Sequence, residues 1–285
     1  MHTVVKVSDI RTASRLAIHL VSLITASVPG SPETRKTNTV IPAATVIVFR
    51  RGPGPEPELL MLQRADEMRF AGGAAVFPGG RVDPADHTLA AGLAPTDDSD
   101  DLAGRIAAIR ETLEETGLVI GLSHPVSTEE AAEARTVLAG EGALEPVLAR
   151  FGWSLAPEQL VPFARWLPPS ERAFDTRFYL ADLGTGAVEL TADLTESSRL
   201  FWTSARAALD LAAEGELKVI FPTLRNLERL ATFGSFAEAR DHALVTPVRT
   251  ITPRRITIDG EEWVTIPEDQ GYPVTQERAA TALRG

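Results

Sequence analysis

Residues 110–118 read Arg110-Glu111-Thr112-Leu113-Glu114-Glu115-Thr116-Gly117-Leu118. They close a helix predicted over Asp100–Thr116, with Gly117 where a left-handed cap belongs. At about 100° per residue, Leu102, Ile106, Ile109 and Leu113 fall on one stripe and Glu111, Glu114 and Glu115 on the opposite one. One face therefore packs into a core, and the other presents three carboxylates within one turn. A solvated acidic face is the ordinary use of such a pattern. Clustered like charges nevertheless cost about 0.2–0.5 kcal/mol per pair, and near a helix C-terminus they oppose the macrodipole. A divalent cation would reverse both penalties. Oxygen-only donors suit Mg²⁺ or Mn²⁺ rather than zinc. Arg110, four residues before Glu114, can pair with that carboxylate and hold it.

Upstream of the helix stands Phe77-Pro78-Gly79-Gly80. Neither glycine carries a Cβ, so backbone there can approach a ligand closely. Further out, Ala44–Phe49 and Glu58–Gln63 read as strands about the turn Gly52–Pro57. Arg64–Gly80 reads as a glycine-rich loop, and Asp83–Ser99 as an acidic, irregular excursion. Downstream, Leu118–Leu122 reads as a short strand. Ser127 caps a helix over Thr128–Leu138, and Leu144–Phe151 is its partner. Strands return at Leu160–Trp166, Thr176–Leu183 and Arg199–Thr203. Helices follow at Ala205–Ala213 and at Pro222–Thr232, the latter with Pro222 at its first position and Gly234 past its end. Residues 253–267 read as a hairpin about Asp259-Gly260. Trp166, Trp202 and Phe178 are expected in the core.

The helix and the glycine loop together resemble the Nudix hydrolases, whose box reads G-x5-E-x7-R-E-U-x-E-E-x-G-U with U apolar. Residues 110–118 match everywhere except Thr112. Gly80 lies 30 residues before Arg110, where the family has 14, so the box is split by 16 extra residues. The position eight before Arg110 is Leu102, where the box has Glu. The run Leu60-Met61-Leu62-Gln63-Arg64-Ala65, then Arg69, Gly73 and Phe77-Pro78-Gly79-Gly80, is similar to the signature of the coenzyme A diphosphatase branch, with Leu62 in place of a Thr. The resemblance runs from about Val40 to about Phe233. It implies an α/β Nudix fold, a mixed sheet sandwiched between helices, with a helical insertion and a C-terminal β-hairpin. It also implies metal-dependent hydrolysis of the pyrophosphate of coenzyme A or acyl-CoA, giving 3′,5′-ADP and (acyl-)4′-phosphopantetheine. The alternatives are another substrate (ADP-ribose, NADH or a dinucleoside polyphosphate) or a non-catalytic nucleotide sensor. Glu111, Glu114 and Glu115 are the expected ligands of Mg²⁺ or Mn²⁺, with Arg110 beside them. Arg64, Arg69, Gly79 and Gly80 are the expected substrate-binding residues. The general base is a glutamate of the box or a distant carboxylate, Glu196 or Asp175.

The chain has 285 residues and a net charge of −11, which disfavours nucleic acid and anionic lipid as partners. Its 44% hydrophobic content excludes disorder throughout. Cys is absent, which excludes disulfides, thiolate metal sites and a cysteine nucleophile, and fits a reducing compartment. The expected organisation is an N-terminal extension and linker at 1–38, a Nudix domain at 39–245 with insertions about 83–99 and 127–152, and a C-terminal extension with the hairpin at 246–285. The expected partners are a small-molecule substrate and a second copy of the chain in a homodimer, with no membrane. The expected location is the cytoplasm.

Overall fold

The structure is a computed structural model and describes residues 39–65, 72–94, 99–184 and 197–282. Its spine is β1 (Thr39–Arg51), whose apolar run Val46–Phe49 is buried on both faces. Such a strand needs cover above and below, as in the interior of a sheet flanked by helices. It pairs in parallel with β6 (Arg172–Asp182) along eleven residues, from Thr39↔Arg172 to Phe49↔Asp182. Its other edge is shared. Phe49–Arg51 pair antiparallel with β2 (Pro57–Arg64), and Ala43–Thr45 with β4 (Gly79–Arg81). Around this centre lie β3 (Ala75–Val76) and β7 (Ser197–Thr203) on β2, β5 (Val161–Trp166) on β6, and β8 (Thr250–Ile251) on β5. The sheet is mixed, as expected.

Alternation along β1 splits the core. Ala44, Val46 and Val48 face one layer, with Ile106, Ala107 and Leu113 of α2 (Ser99–Thr116) and Ala134 and Leu138 of α3 (Thr128–Glu141). Ile47 and Phe49 face the other, with Ala208 of α5 (Ala205–Glu214), Leu227 of α6 (Phe221–Leu230) and Ala239 of α7 (Phe236–Val245). Trp166 and Phe178 are buried in this second layer as expected, whereas Trp202 is half-buried beneath Arg50, 4.3 Å from the guanidinium carbon.

Several sequence expectations need correction. The stretch read as irregular from Asp83 holds a helix: Pro84–Leu93 form α1, capped by Asp83. Leu118–Leu122 is not a strand. It is a loop touching Leu155 through a single bridge at Leu122, because Gly121 turns the chain at φ +65°. The helix at 222 starts at Phe221, with Pro222 inside its first turn, and ends at Leu230. Gly234 does not cap it, and Ala231 stays right-handed. Beyond it, α7 was not foreseen, although Ser235 and Glu238 carry the capping signature and the Ser235 hydroxyl accepts the Glu238 N–H at 3.2 Å. The helices between 127 and 152 form as read: Ser127 caps α3, and Leu144–Phe151 form α4.

The hairpin is present as β9 (Arg254–Ile258) and β10 (Glu261–Thr265), with Asp259 and Gly260 both at positive φ, as a type I′ turn requires. A third strand, β11 (Gln276–Arg278), pairs with β10, and a short α8 (Ala279–Ala282) follows. The segment after Val245 packs into the main body: Ile251, Ile266 and Tyr272 are part of the second core layer. Among the described residues no helix is long and apolar enough to cross a membrane. Residues 1–38 lie outside the described residues.

Candidate active site

The site forms where α2 crosses the glycine strand. Gly79 and Gly80 of β4 pair with Thr45 and Ala44 of β1. The Gly79 N–H donates to Glu115 Oε2 at 2.8 Å. A Cβ on Gly80 would run into the Glu111 carboxylate, so glycine here leaves that carboxylate room on the strand. The two glycines and the two glutamates are thus complementary in shape and in hydrogen bonding. The carboxylates are not a solvated face: Glu115 is buried, Glu111 half-buried, and only Glu114 is exposed. Thr112, at the box position that departs from the family, is fully buried. Its hydroxyl is satisfied by the Ala108 carbonyl at 2.6 Å, which lets a polar residue occupy an apolar place.

Arg110 is the hub. It is 3% exposed and reaches four side chains. Its Nε and Nη2 grip Asp86 of α1 at 3.1 and 3.0 Å, and Nη2 also donates to the Arg81 carbonyl at 2.9 Å. Nη1 donates to Glu111 at 2.9 Å and Glu114 at 3.4 Å, and Asp83 lies 3.6 Å from Nη2. Burial works against the guanidinium charge, but Glu111, Asp86 and Asp83 more than offset it and raise the pKa above its ordinary value. Burial pushes the Glu111 carboxyl up to about 7; Arg110 opposes the rise, and Glu114 and Asp83 add to it.

Asp86 was missed by the sequence reading, and it corrects the place of the box's first acid. Counting back from Arg110 gives Leu102, which is half-buried against the first core layer. Counting forward from Gly80 gives Asp86, the sixth residue on, where the pattern has its Glu. The 16 extra residues therefore fall between Asp86 and Arg110, and the 1% exposed Asp86 is folded back onto that arginine.

Among the described residues, no three acidic or histidine side chains form a ready-made metal cage. Glu111 and Glu114 are drawn to Arg110, and Glu115 to Gly79. The donor set still fits a hard divalent cation. Four carboxylates surround one guanidinium, with Glu115 beside them on Gly79; all the acidic donors are oxygen, and the half-buried Glu111 carries a charge that its surroundings disfavour.

The other expected residues divide. Gly79 and Gly80 lie against the box glutamates Glu115 and Glu111. Arg64 ends β2, beside Ala74, and its Nε is buried without a hydrogen-bond partner among the described residues. Arg81, next to Gly80 and not foreseen, has an Nε in the same state. Its signal in the sequence was adjacency to the glycine pair. Asp175 is gripped by Arg165 through both oxygens, at 2.7 and 2.5 Å, and is buried, so it is a structural pair rather than a base open to water. Arg69 and Glu196 lie outside the described residues. A cavity of about 300 Å³ between Val119–Val126, Leu160 and Ala181–Leu183 is lined by none of the box carboxylates. It lies on the side of α2 that carries Ile109, whose side chain packs over Gly121.

A sheet between helical layers, with an Arg-Glu-x-x-Glu-Glu helix docked on a Pro-Gly-Gly strand, defines a Nudix-type pyrophosphohydrolase. The chain belongs to the Nudix hydrolase family: it is 31% identical to the crystal structure of a Nudix hydrolase from Alicyclobacillus acidocaldarius, with a TM-score of 0.61 over 72% of this chain and 96% of that one. It is also 27% identical over 300 residues to the acyl-coenzyme A diphosphatase NUDT19 of Gallus gallus, covering 81% of this chain and 79% of the relative. The MutT protein of Methanosarcina mazei Go1 is matched at 17% identity and a TM-score of 0.38, over 68% of this chain and 95% of that one. No family model matches the chain.

Proposed function

We propose that this Nudix hydrolase cleaves the pyrophosphate bond of coenzyme A or acyl-CoA, using Mg²⁺ or Mn²⁺, to give 3′,5′-ADP and (acyl-)4′-phosphopantetheine. The observation that carries the chemistry is the docking of Glu111 and Glu115 on Gly79-Gly80, with Arg110 fixed by Asp86. The substrate class is supported by the similarity to the chicken acyl-coenzyme A diphosphatase and by the Leu60–Gly80 signature. Glu111, Glu114 and Glu115 would hold the cation, which when bound neutralises phosphate oxygens and lowers the pKa of an attacking water. Arg110 keeps the glutamates in register. The Gly79-Gly80 backbone leaves room for a diphosphate to approach. Arg64 and Arg81, each with a buried Nε that has no hydrogen-bond partner among the described residues, would meet phosphate oxygens through planar forks. With Asp175 committed to Arg165, the proton acceptor lies among the box glutamates and Glu196. The absence of cysteine agrees with a cytoplasmic setting.

The test is incubation of the purified protein with CoA, with and without Mn²⁺ or Mg²⁺, followed by chromatography for 3′,5′-ADP. Metal-dependent release is the expected result. Cleavage of ADP-ribose or NADH with none of CoA would keep the Nudix chemistry and overturn the substrate. Release that ignores added metal and survives a chelator would overturn the metal role.

A further inference from the structure

Besides the packing of Ala134 and Leu138 in the core, the segment 127–152 reaches the end of the catalytic helix through Arg135. In a regular helix the Glu114 carbonyl would accept the Leu118 N–H. Here the Leu118 N–H goes to the Thr116 hydroxyl at 3.1 Å, and the Gly117 N–H closes on the Leu113 carbonyl at 3.0 Å. The Glu114 carbonyl is taken instead by Arg135 of α3, through Nε at 2.9 Å and Nη2 at 2.7 Å. One guanidinium fork thus caps the last turn of α2, the turn that carries Glu114 and Glu115. A cation at this point also offsets the negative end of the helix dipole, to which three carboxylates already add. The helix bearing Arg135 is itself held. The Trp153 Nε1–H donates to Glu130 at 2.7 Å, Arg150 of α4 pairs with Glu133 at 2.7 Å, and Ala134 and Leu138 are buried in the core.

We propose that Arg135 is a positioning residue for the reaction: the insertion acts as a brace whose arginine fixes the backbone under Glu114 and Glu115, and so sets how tightly those glutamates bind a divalent ion. This rests on the metal reading above. Helix ends left uncapped fray within their last turn, and changes one shell away from a metal typically cost about 10–100-fold in affinity.

The experiment measures Mn²⁺ binding to the full chain by electron paramagnetic resonance, alongside amide hydrogen exchange and steady-state kinetics with CoA. Arg135→Ala is expected to weaken Mn²⁺ binding about tenfold, to speed exchange at Gly117 and Leu118, and to lower kcat at fixed Mn²⁺ with KM for CoA unchanged. Arg135→Lys, with one compact donor group, should recover part of each effect. Arg150→Ala loosens the outer face of the same insertion through an exposed pair, and should leave Mn²⁺ affinity at the wild-type value. Wild-type Mn²⁺ affinity in Arg135→Ala, or an equal loss in Arg150→Ala, overturns the proposal. If Arg135→Ala does not fold, Arg135→Gln takes its place with the same expectations. If the wild type binds no Mn²⁺, the metal reading fails on its own, and the brace is then decided by exchange at Gly117 and Leu118, where unaltered rates overturn it.

Discussion

Arg110 shows how a charge is kept inside a protein. A guanidinium at 3% exposure is tolerated because Asp86, Glu111, Glu114 and the Arg81 carbonyl surround it. Removing one partner of a buried pair leaves the other uncompensated. Asp86→Ala should therefore lower unfolding stability by about 3–5 kcal/mol, whereas Asp86→Asn, which keeps one acceptor, should lose less; chemical denaturation of both variants checks the order. Glu114→Gln and Glu115→Gln belong to the other kind of change. Gln can still accept the Gly79 N–H in place of Glu115, so the fold should melt near the wild type. A neutral amide cannot replace a charged metal donor, so turnover should fall at least about 100-fold. Wild-type rates in both variants would remove these residues from the metal site. The sequence made the glutamates and the glycine pair legible because their spacing is local. Asp86 was hidden because the insertion broke the count: the residue is in register with Gly80, not with Arg110.

At the scale of elements, what was read correctly is what carries a strong period or a cap. The 3.6-residue stripe fixed α2, Ser127 opened α3, and Asp259-Gly260 set the hairpin. Helix α1 was masked by its acidic composition, although Asp83-Pro84 is a helix-start signal, with Asp86 bonding back to the Asp83 N–H at 2.9 Å. The packing of α6 on the C-terminal sheet could not be read locally at all. There, Arg225 is buried and shared between Glu228 of α6 and Glu277 of β11, at 2.8 and 2.7 Å. Burial pushes the Glu228 carboxyl up to about 7; Arg225 pulls the other way, and Glu277 adds to the rise. A carboxyl whose pKa is higher folded than unfolded stabilises the fold when protonated. That contribution is complete below about pH 4.5 and is lost as pH rises through about 7. Melting temperatures of the wild type should therefore fall between pH 5 and pH 8 by more than those of Glu228→Gln, which has no proton to lose. Parallel pH profiles would place the sensitivity elsewhere.

For the whole molecule, the two core layers are joined across the sheet, and the second is closed by the tail of the chain. Trp166 of β5 donates to the Tyr272 hydroxyl at 3.0 Å, which donates in turn to Asn226 of α6 at 2.7 Å, and the Trp166 and Tyr272 rings meet edge to face at 5.8 Å. Arg229 lies over both Phe163 and Tyr272, so Tyr272 links the tail, α6 and β5. Tyr272→Phe keeps the ring and strips the hydroxyl, leaving the buried Trp166 and Asn226 groups unpaired. It should cost about 1–3 kcal/mol in a cooperative unfolding transition while leaving the distant box glutamates, and hence kcat, unchanged. A transition that splits in two would mean that the tail melts as a separate unit.

The long parallel pairing of β1 with β6 has a consequence for the birth of the molecule. During synthesis Thr39–Arg51 leaves the ribosome before Arg172–Asp182 and waits for it, because the neighbour that fills its longest edge is made only after the box. Until then that edge of an apolar strand is open, the kind of surface that recruits chaperones or other nascent chains. A chain stalled before Arg172 would carry every box glutamate of the catalytic helix and still lack the strand that holds the spine in place.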